Sequence, residues 1–164
     1  MEIRKELASD ICSIHKLTEI AFATKDYSDG LEPTIIDNLR IAGDLTLSLV
    51  AIRGEVIVGH VAFSPVVIGD QRENWFGLGP ISVQPEMQKI GIGSALVNEG
   101  LDILKNSGAH GCALIGDPNY YSRFGFVSDG CVHYSGVPDE IVQWLGFTDL
   151  RPNGQLTFRP AFGG

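Results

Sequence analysis

A glycine-rich turn between a strand-like segment and a helix-like segment offers the clearest chemistry in the sequence. Residues 88–96 read QKIGIGSAL, with Gly91, Gly93 and the small Ser94 where a helix should begin. The N-terminus of a helix carries N–H groups without intrahelical partners and a partial positive charge, so it attracts anions. Because the two glycines have no Cβ atoms, the N–H groups from Lys89 to Ser94 can surround a phosphate or pyrophosphate. The Lys89 ammonium adds a point charge.

Three phosphate-binding patterns can be compared with this turn. A P-loop requires GxxxxGK[ST], and the chain contains no Gly-Lys pair. A dinucleotide-binding fingerprint requires GxGxxG, and Leu96 stands where its third glycine should be. The pattern Q/RxxGxG/A remains, and Gln88, Gly91 and Gly93 match it.

The elements that must position this turn follow from the hydrophobic periodicity. Helical spacing after Asp10 predicts a first helix, and PTIIDNLRIAG (33–43) predicts a second helix that ends at a glycine. Three β-branched runs follow, LSLVAI, VIVGHVAFSPVVI and WFGLGPISV, and they predict antiparallel neighbours. Pro80 lies within the third run and argues against full pairing on both sides, because proline has no ladder donor.

The second half of the chain predicts a crossover. A helix, GSALVNEGLDILKNSG, and a buried strand, CALIGD, follow the turn, so the strands on either side of this helix should be parallel. PNYYSRFGF predicts a short helix that begins near Asp117 and Pro118, and PDEIVQWLG is a possible further short helix. The order β, α, α, β, β, β, α, β, α, β, β indicates an α/β protein with a mostly antiparallel sheet.

A second motif joins the turn in the expected order, because YSRFGF occupies residues 121–126. With the ISV strand end and the QKIGIG turn, it makes the chain resemble the GNAT superfamily of N-acetyltransferases over most of its length. The resemblance implies an α/β fold with a mixed, mostly antiparallel central sheet, helices on both faces and a splayed pair of parallel strands. It also implies a single N-acetyltransferase domain spanning residues 1–164.

The resemblance further implies that acetyl-CoA is the acyl donor and that the acetyl group passes to a primary amine by direct attack, through a tetrahedral intermediate, without a metal. Tyr121 would be the general acid for the leaving thiolate, and the backbone N–H groups near Ser82 and Val83 would stabilise the oxyanion. The expected cofactor-binding residues are the strand end that pairs with the pantetheine arm and the phosphate turn: Ile81, Ser82, Val83, Gln88, Lys89, Ile90, Gly91, Ile92, Gly93 and Ser94.

The sequence leaves two questions about proton transfer open: whether Tyr121 gives up its proton fully, and which group is the general base. A tyrosine with a pKa near ~10 and a thiol near ~8.5 make full transfer to the thiolate uphill by about 2 kcal/mol, so Tyr121 would act mainly as a hydrogen-bond donor. Its neighbour Tyr120 resembles it, but one helical step points about 100° away. The general base is not specified, and Glu73, His60 or a water chain are the alternatives.

The amino-acid composition limits the kinds of partner that the protein is expected to bind and where it is expected to be found. Twelve Lys and Arg against twenty Asp and Glu give a net charge of −8, which disfavours nucleic acid. Cys12, Cys112 and Cys131 form no CxxC and are expected to be buried, reduced thiols. The charged start and the short apolar runs predict a cytoplasmic protein without a membrane segment. We expect a small amine or a protein amine as acceptor, an acidic loop at residues 23–33 as a source of specificity, and a monomer or homodimer. A non-catalytic acyl-CoA-binding or sensing module is the alternative function.

Overall fold

A computed structural model describes residues 1–163, and a central six-stranded sheet organises it. The strand order is β1-β2-β3-β5-β6-β8, and every neighbouring pair is antiparallel except β5 and β6, which are parallel. The strands are β1 (Glu2–Lys5), β2 (Leu47–Arg53), β3 (Val56–Pro65), β4 (Val67–Ile68), β5 (Trp75–Val83), β6 (Gly111–Ile115), β7 (Val132–His133), β8 (Val142–Gly146) and β9 (Gly154–Thr157). The helices are α1 (Ile11–Phe22), α2 (Glu32–Ala42), α3 (Ile92–Asn106) and α4 (Pro118–Tyr121).

Helices cover both faces of this sheet, as the sequence predicted. The buried face of α3 packs with Leu49, Val61 and Phe63 in the larger core cluster. On the opposite face, Ile14 of α1 and Ile36 of α2 pack against Val50. Consecutive strand residues point to opposite faces, so β2 supplies Leu49 to one side and Val50 to the other. The fold is the mixed α/β arrangement expected from the sequence.

The parallel pair β5 and β6 separates after three residues. Trp75, Phe76 and Gly77 of β5 lie opposite Gly111, Cys112 and Ala113 of β6, and there the pairing ends. The rest of β5 pairs only with β3, and Leu114 and Ile115 of β6 pair only with β8. Pro80 has no ladder partner, and the register between β3 and β5 shifts opposite it. A gap therefore opens between β5 and β6 toward their carboxyl ends.

Two segments of the chain differ from the expectation. The apolar run VIVGHVAFSPVVI is not one strand: it forms β3 and then β4, which leaves the main sheet and pairs with β9 in a small three-stranded sheet, β4-β9-β7. The possible helix at PDEIVQWLG (138–146) is wrong: only one 3-10 turn forms at Asp139–Ile141, and β8 follows it. A period-2 pattern, in which Val142 and Trp144 alternate with Gln143 and Leu145, is compatible with a strand. This strand lies at the sheet edge, next to β6.

The cysteines also differ from the expectation. All three are free thiols, but only Cys112 is buried, Cys131 is half-buried and Cys12 is exposed on α1. Cys12 lies on the outer side of α1, outside the stripe of buried residues that includes Ile14. The helical periodicity of α1 was sufficient to predict this exposure. Across residues 1–163, no helix is long and apolar enough to cross a bilayer.

Candidate active site

A cleft of about 600 Å³ opens beside the second half of β5, where β5 has separated from β6. Four segments form it: the end of β5, the turn before α3, helix α4 with the residues just after it, and the loop between α1 and α2. The lining residues are Lys25, Tyr27, Ile81, Val83, Met87, Gln88, Lys89, Gly91, Gly93, Ser94, Tyr120 and Arg123.

The glycine-rich turn forms the inner end of this cleft. Lys89 and Gly91 both have left-handed backbone conformations, with φ of 67° and 97°, and α3 begins immediately afterwards. The first helical bond from this end runs from the Ala95 N–H to the Gly91 carbonyl, at 3.0 Å. The N–H groups of the preceding residues in the first turn therefore have no acceptor within α3, and they remain available to an anion.

The two glycines of the turn have different physical roles. At Gly91 a Cβ would meet nothing within 4 Å, so its positive φ is what favours glycine. At Gly93 a Cβ would lie 3.1 Å from the Tyr120 hydroxyl and 3.7 Å from Val83 Cγ2, so space in the cleft is the constraint. Gly91 thus shapes the turn, and Gly93 keeps the cleft open.

The other residues expected to bind a cofactor are only partly brought together. Ile81 and Val83 line the cleft, whereas the Ser82 side chain is buried on the opposite face of β5. The Gln88 amide donates to the Val83 carbonyl at 3.1 Å and so ties the turn to the strand. The side chains of the two isoleucines in the turn point away from the cleft. Ile90 is 60% exposed and does not line the cleft, and Ile92 is buried in the core. These two isoleucines can contribute only backbone to the cleft.

Three cations surround the cleft, although the protein as a whole carries a net charge of −8. Lys89 comes from the turn, Arg123 from the residues after α4 and Lys25 from the α1–α2 loop. Within residues 1–163, no Asp or Glu lines this cleft. The local charge favours a polyanionic ligand, and it shows that Lys25 and Tyr27, rather than the acidic residues of their loop, face the cleft.

Tyr120 enters the cleft, and sequence reasoning missed it. Its hydroxyl lies 3.4 Å from Ser94 Oγ, and the Arg123 guanidinium carbon lies 4.4 Å from its ring centroid. Arg123 also donates from Nε to the Tyr120 carbonyl at 2.8 Å, so the two side chains are held together. The spacing of Tyr120 and Arg123, three residues apart on one helical turn, was the signal that could have found this pair.

Tyr121 lies deeper than its neighbour. Its ring packs edge-on to Tyr120 and Phe126, with centroid distances of 4.9 and 6.0 Å. A Cβ at Gly116 would lie 2.7 Å from Tyr121 Cε2, so the end of β6 makes room for this ring. Burial, with smaller effects from Tyr120 and Tyr27, raises the pKa of the Tyr121 hydroxyl, which therefore stays protonated at neutral pH.

The two protein residues considered as bases lie outside the cleft. Glu73 is exposed in the turn before β5, at the end of that strand remote from Val83. His60 on β3 is completely buried, and that burial lowers its pKa to about 4. Within residues 1–163 no group of three or more His, Cys, Asp or Glu side chains is placed to hold a metal ion.

Comparison with known sequences identifies the family. The pattern of the acetyltransferase (GNAT) family matches residues 11–126, which include α1, α2, strands β2 to β6, the glycine turn and the YSRFGF segment. The chain belongs to this family. It is therefore an acyltransferase, and the resemblance read from the two motifs is confirmed.

Relatives of this GNAT protein agree in sequence and in structure. The uncharacterised N-acetyltransferase YhbS of Escherichia coli (strain K12) is 37% identical over 127 residues, which are 77% of this chain and 73% of YhbS. The crystal structure of a GNAT family acetyltransferase from Brucella melitensis in complex with acetyl-CoA superposes with a TM-score of 0.88, at 44% identity over 98% of this chain and 97% of that chain. The crystal structure of Escherichia coli YhbS in complex with CoA gives a TM-score of 0.90, at 29% identity over 99% and 92% of the two chains.

Proposed function

We propose that this protein is an N-acetyltransferase that moves the acetyl group of acetyl-CoA to a primary amine. The observation that carries the proposal is the glycine turn at the end of a splayed strand pair, beside a cleft that three cations line and that no Asp or Glu among residues 1–163 lines. CoA carries a pyrophosphate and a ribose phosphate at one end and an extended amide-containing arm at the other. Both halves of the cleft match that chemistry, and the relatives solved with acetyl-CoA and CoA support it.

The phosphate end of the cofactor fits the turn. The amides of Gly91, Ile92, Gly93 and Ser94 would hold the pyrophosphate, in keeping with the affinity of helix N-termini for anions. Lys89 would add a charge from the turn itself. Gln88 would act indirectly, because its amide holds the Val83 carbonyl and keeps the turn against β5.

The pantetheine arm fits the gap between β5 and β6. From Leu78 to Val83, β5 pairs with β3 but has no partner on the β6 side. An extended arm with two amides can take the place of a strand there, as peptide ligands do at exposed sheet edges. Ile81 and Val83 would contact the arm through their side chains, and the backbone of Ile81, Ser82 and Val83 would bond to its amides.

The chemistry then requires protein donors at two atoms of the thioester, the carbonyl oxygen and the sulfur. The neutral amine nitrogen attacks the carbonyl carbon, and the oxygen becomes anionic in a tetrahedral intermediate. The C–S bond then breaks to release the thiolate, and the proton that the attacking nitrogen loses neutralises this thiolate. N–H groups near Ser82 and Val83 would donate to the oxyanion. Tyr121 would donate to the leaving sulfur, and its raised pKa makes it a hydrogen-bond donor rather than a full proton donor, because the thiolate is the weaker base.

The experiment pairs binding with transfer. Isothermal calorimetry should show that acetyl-CoA and CoA bind and that NAD does not. A screen of primary amines, read by thiol release, should then identify an acceptor. Binding without transfer to any amine would favour the alternative of a sensing module, and failure of both CoA ligands to bind would refute the proposal.

The role of Tyr121 is tested by two matched variants on the same short helix. Tyr121→Phe should lower kcat about 10- to 100-fold, the effect of losing one hydrogen bond to a charged group, and leave the Kd for acetyl-CoA unchanged. Tyr120→Phe should change the Kd, since that hydroxyl lies against Ser94 and Gly93. Equal kcat values for Tyr121→Phe and the wild type would remove the assigned role.

A further inference from the structure

The three cations of the cleft have no carboxylate partner within the protein. Among residues 1–163, neither Lys25, Lys89 nor Arg123 lies within ion-pair distance of an Asp or Glu side chain. By contrast, Arg40 and Arg151 pair with carboxylates at N–O distances of 2.9 and 2.8 Å. Asp and Glu outnumber Lys and Arg by twenty to twelve, so three unpaired cations on one cleft indicate that the ligand supplies the negative charge.

Arg123 differs from the two lysines because the protein holds its head group in place. The guanidinium carbon lies 4.4 Å from the centre of the Tyr120 ring, and the Nε–H donates to the Tyr120 carbonyl oxygen at 2.8 Å. The N–H groups on its two terminal nitrogens have no acceptor in the part of the chain that the structure describes. A planar guanidinium that is stacked and tethered in this way loses little conformational freedom when it binds an anion.

The Tyr120 ring places this guanidinium beside the phosphate turn. The Tyr120 hydroxyl lies 3.4 Å from Ser94 Oγ and would lie 3.1 Å from a Cβ at Gly93. Arg123 is therefore one tyrosine ring away from the backbone N–H groups that would hold the pyrophosphate. Its side chain is exposed at the mouth of the cleft.

The two anionic groups of CoA require different partners. The pyrophosphate is bridged on both sides, and the row of N–H groups in the turn suits it, with Lys89 as an added point charge. The ribose phosphate is a monoester with three terminal oxygens and a charge of about −1.5 to −2 at neutral pH. A guanidinium can donate to two of these oxygens at once, which an ammonium cannot do with the same geometry.

The direction of the ligand also places the ribose phosphate near Arg123. The pantetheine arm would follow β5 away from the turn, beside Ile81 and Val83. The nucleotide at the other end of CoA must therefore leave the turn toward the mouth of the cleft, where Arg123 is exposed. Lys25 faces the cleft from the α1–α2 loop and adds to the attraction, but no contact fixes its ammonium.

We propose that Arg123, held by Tyr120, binds the ribose phosphate of the acyl donor and makes the protein select CoA thioesters over thioesters that lack this phosphate. The inference rests on the proposed function. Donors without the ribose phosphate include dephospho-CoA thioesters and the phosphopantetheine thioesters of carrier proteins, which present the same reactive group. Tyr120 is a positioning residue in this discrimination, because its ring and its carbonyl oxygen orient the guanidinium.

Calorimetry with CoA and dephospho-CoA tests the proposal without any acceptor. The wild type should bind CoA at least about 10-fold more tightly than dephospho-CoA, and Arg123→Gln should remove most of this preference by weakening CoA alone. Lys89→Gln is the comparison within the cleft, and it should weaken both ligands by the same factor. Arg72→Gln removes an exposed cation outside the cleft, and it should leave both Kd values unchanged.

Two further variants separate charge from orientation. Arg123→Lys keeps the charge but not the paired donors, so it should retain only part of the preference for CoA. Tyr120→Leu keeps the carbonyl oxygen but removes the ring under the guanidinium, and it should also reduce the preference. Wild-type preference in both variants would overturn the assignment of a held guanidinium.

Phosphorus NMR of bound CoA gives a readout besides affinity, because the monoester and the pyrophosphate have separate resonances. Arg123→Lys should move the monoester resonance and leave the pyrophosphate resonances in place, and Lys89→Gln should do the reverse. Equal weakening of CoA and dephospho-CoA by Arg123→Gln, or no preference in the wild type, would overturn the proposal. Failure of both ligands to bind the wild type would instead refute the proposed function.

Discussion

Burial of His60 makes the stability of the protein depend on pH in a window where few groups titrate. Its pKa falls from an ordinary 6.5 to about 4, chiefly because burial disfavours the charged imidazole. The unfolded chain therefore binds a proton between these values that the folded chain does not. The contribution is fully present above pH 6.5 and is lost as the pH falls toward 4.

The size of the effect follows from the two pKa values. At pH 5 an ordinary histidine is almost fully protonated, and a histidine of pKa about 4 is about one-tenth protonated. Protonation of His60 therefore favours the unfolded state over the folded state by about 30-fold at pH 5. This factor corresponds to about 2 kcal/mol of unfolding free energy lost between pH 7 and pH 5. Glu6, Asp10 and Asp129 have lowered pKa values. The unfolding free energy that these carboxylates contribute is therefore lost at lower pH than the contribution of His60.

Urea unfolding at pH 7 and pH 5 measures this loss. With a slope of about 2 kcal/mol/M, the wild-type midpoint should fall by about 1 M from His60 alone. His60 Nε2 lies 2.7 Å from Ser48 Oγ, and His60→Gln keeps an amide donor for Ser48 but cannot titrate. Its midpoint should therefore fall by about 1 M less over the same interval. His133→Gln is the control, since that side chain is 48% exposed, and it should retain the wild-type loss. Identical pH dependence in His60→Gln and the wild type would show that His60 is not held neutral by burial.

Two further predictions concern glycines. Gly93→Val should weaken acetyl-CoA binding at least 10-fold in calorimetry with little change in melting temperature, because its side chain enters the cleft. Gly91→Ala should also cost about 1–2 kcal/mol of stability, because residue 91 has a positive φ. Normal CoA binding by Gly93→Val would place the phosphates elsewhere. Gly100→Ala should cost about 1–3 kcal/mol in urea unfolding, because its Cβ would overlap the Phe63 ring at Cε2. Exposed Asn98→Ala on the same helix should be near neutral. A neutral Gly100→Ala would mean that the Phe63 ring moves freely.

Local signals in the sequence were enough for the motifs and for most of the fold. The cap at Gly43, the interrupted pairing at Pro80 and the start of α4 at Asp117 each follow from the backbone preferences of one residue, and all three occur as expected. The Asp117 side chain accepts the Asn119 N–H at 2.9 Å, which is an N-cap bond that a sequence can specify by itself.

Features that depend on distant partners were not readable. PDEIVQWLG has apolar residues at helical spacing, but Val142 and Trp144 become a strand because the edge of β6 is available to pair with them. Lys25, Met87 and Arg123 meet at the cleft from separate segments, and no spacing in the chain relates them. The contact of 2.7 Å between Ser48 Oγ and His60 Nε2 depends on the register of β2 against β3, which no spacing in the chain reveals.

The early end of the β5–β6 ladder also bears on how the protein avoids unwanted association. A strand edge with free N–H and C=O groups normally invites pairing with strands of other molecules. Here the free edge from Leu78 to Val83 borders a cleft whose other walls come from the α1–α2 loop, α4 and the residues just after α4. These walls stand between the edge and the strands of other molecules. The molecule thus keeps a reactive sheet edge for its cofactor without exposing one to its neighbours.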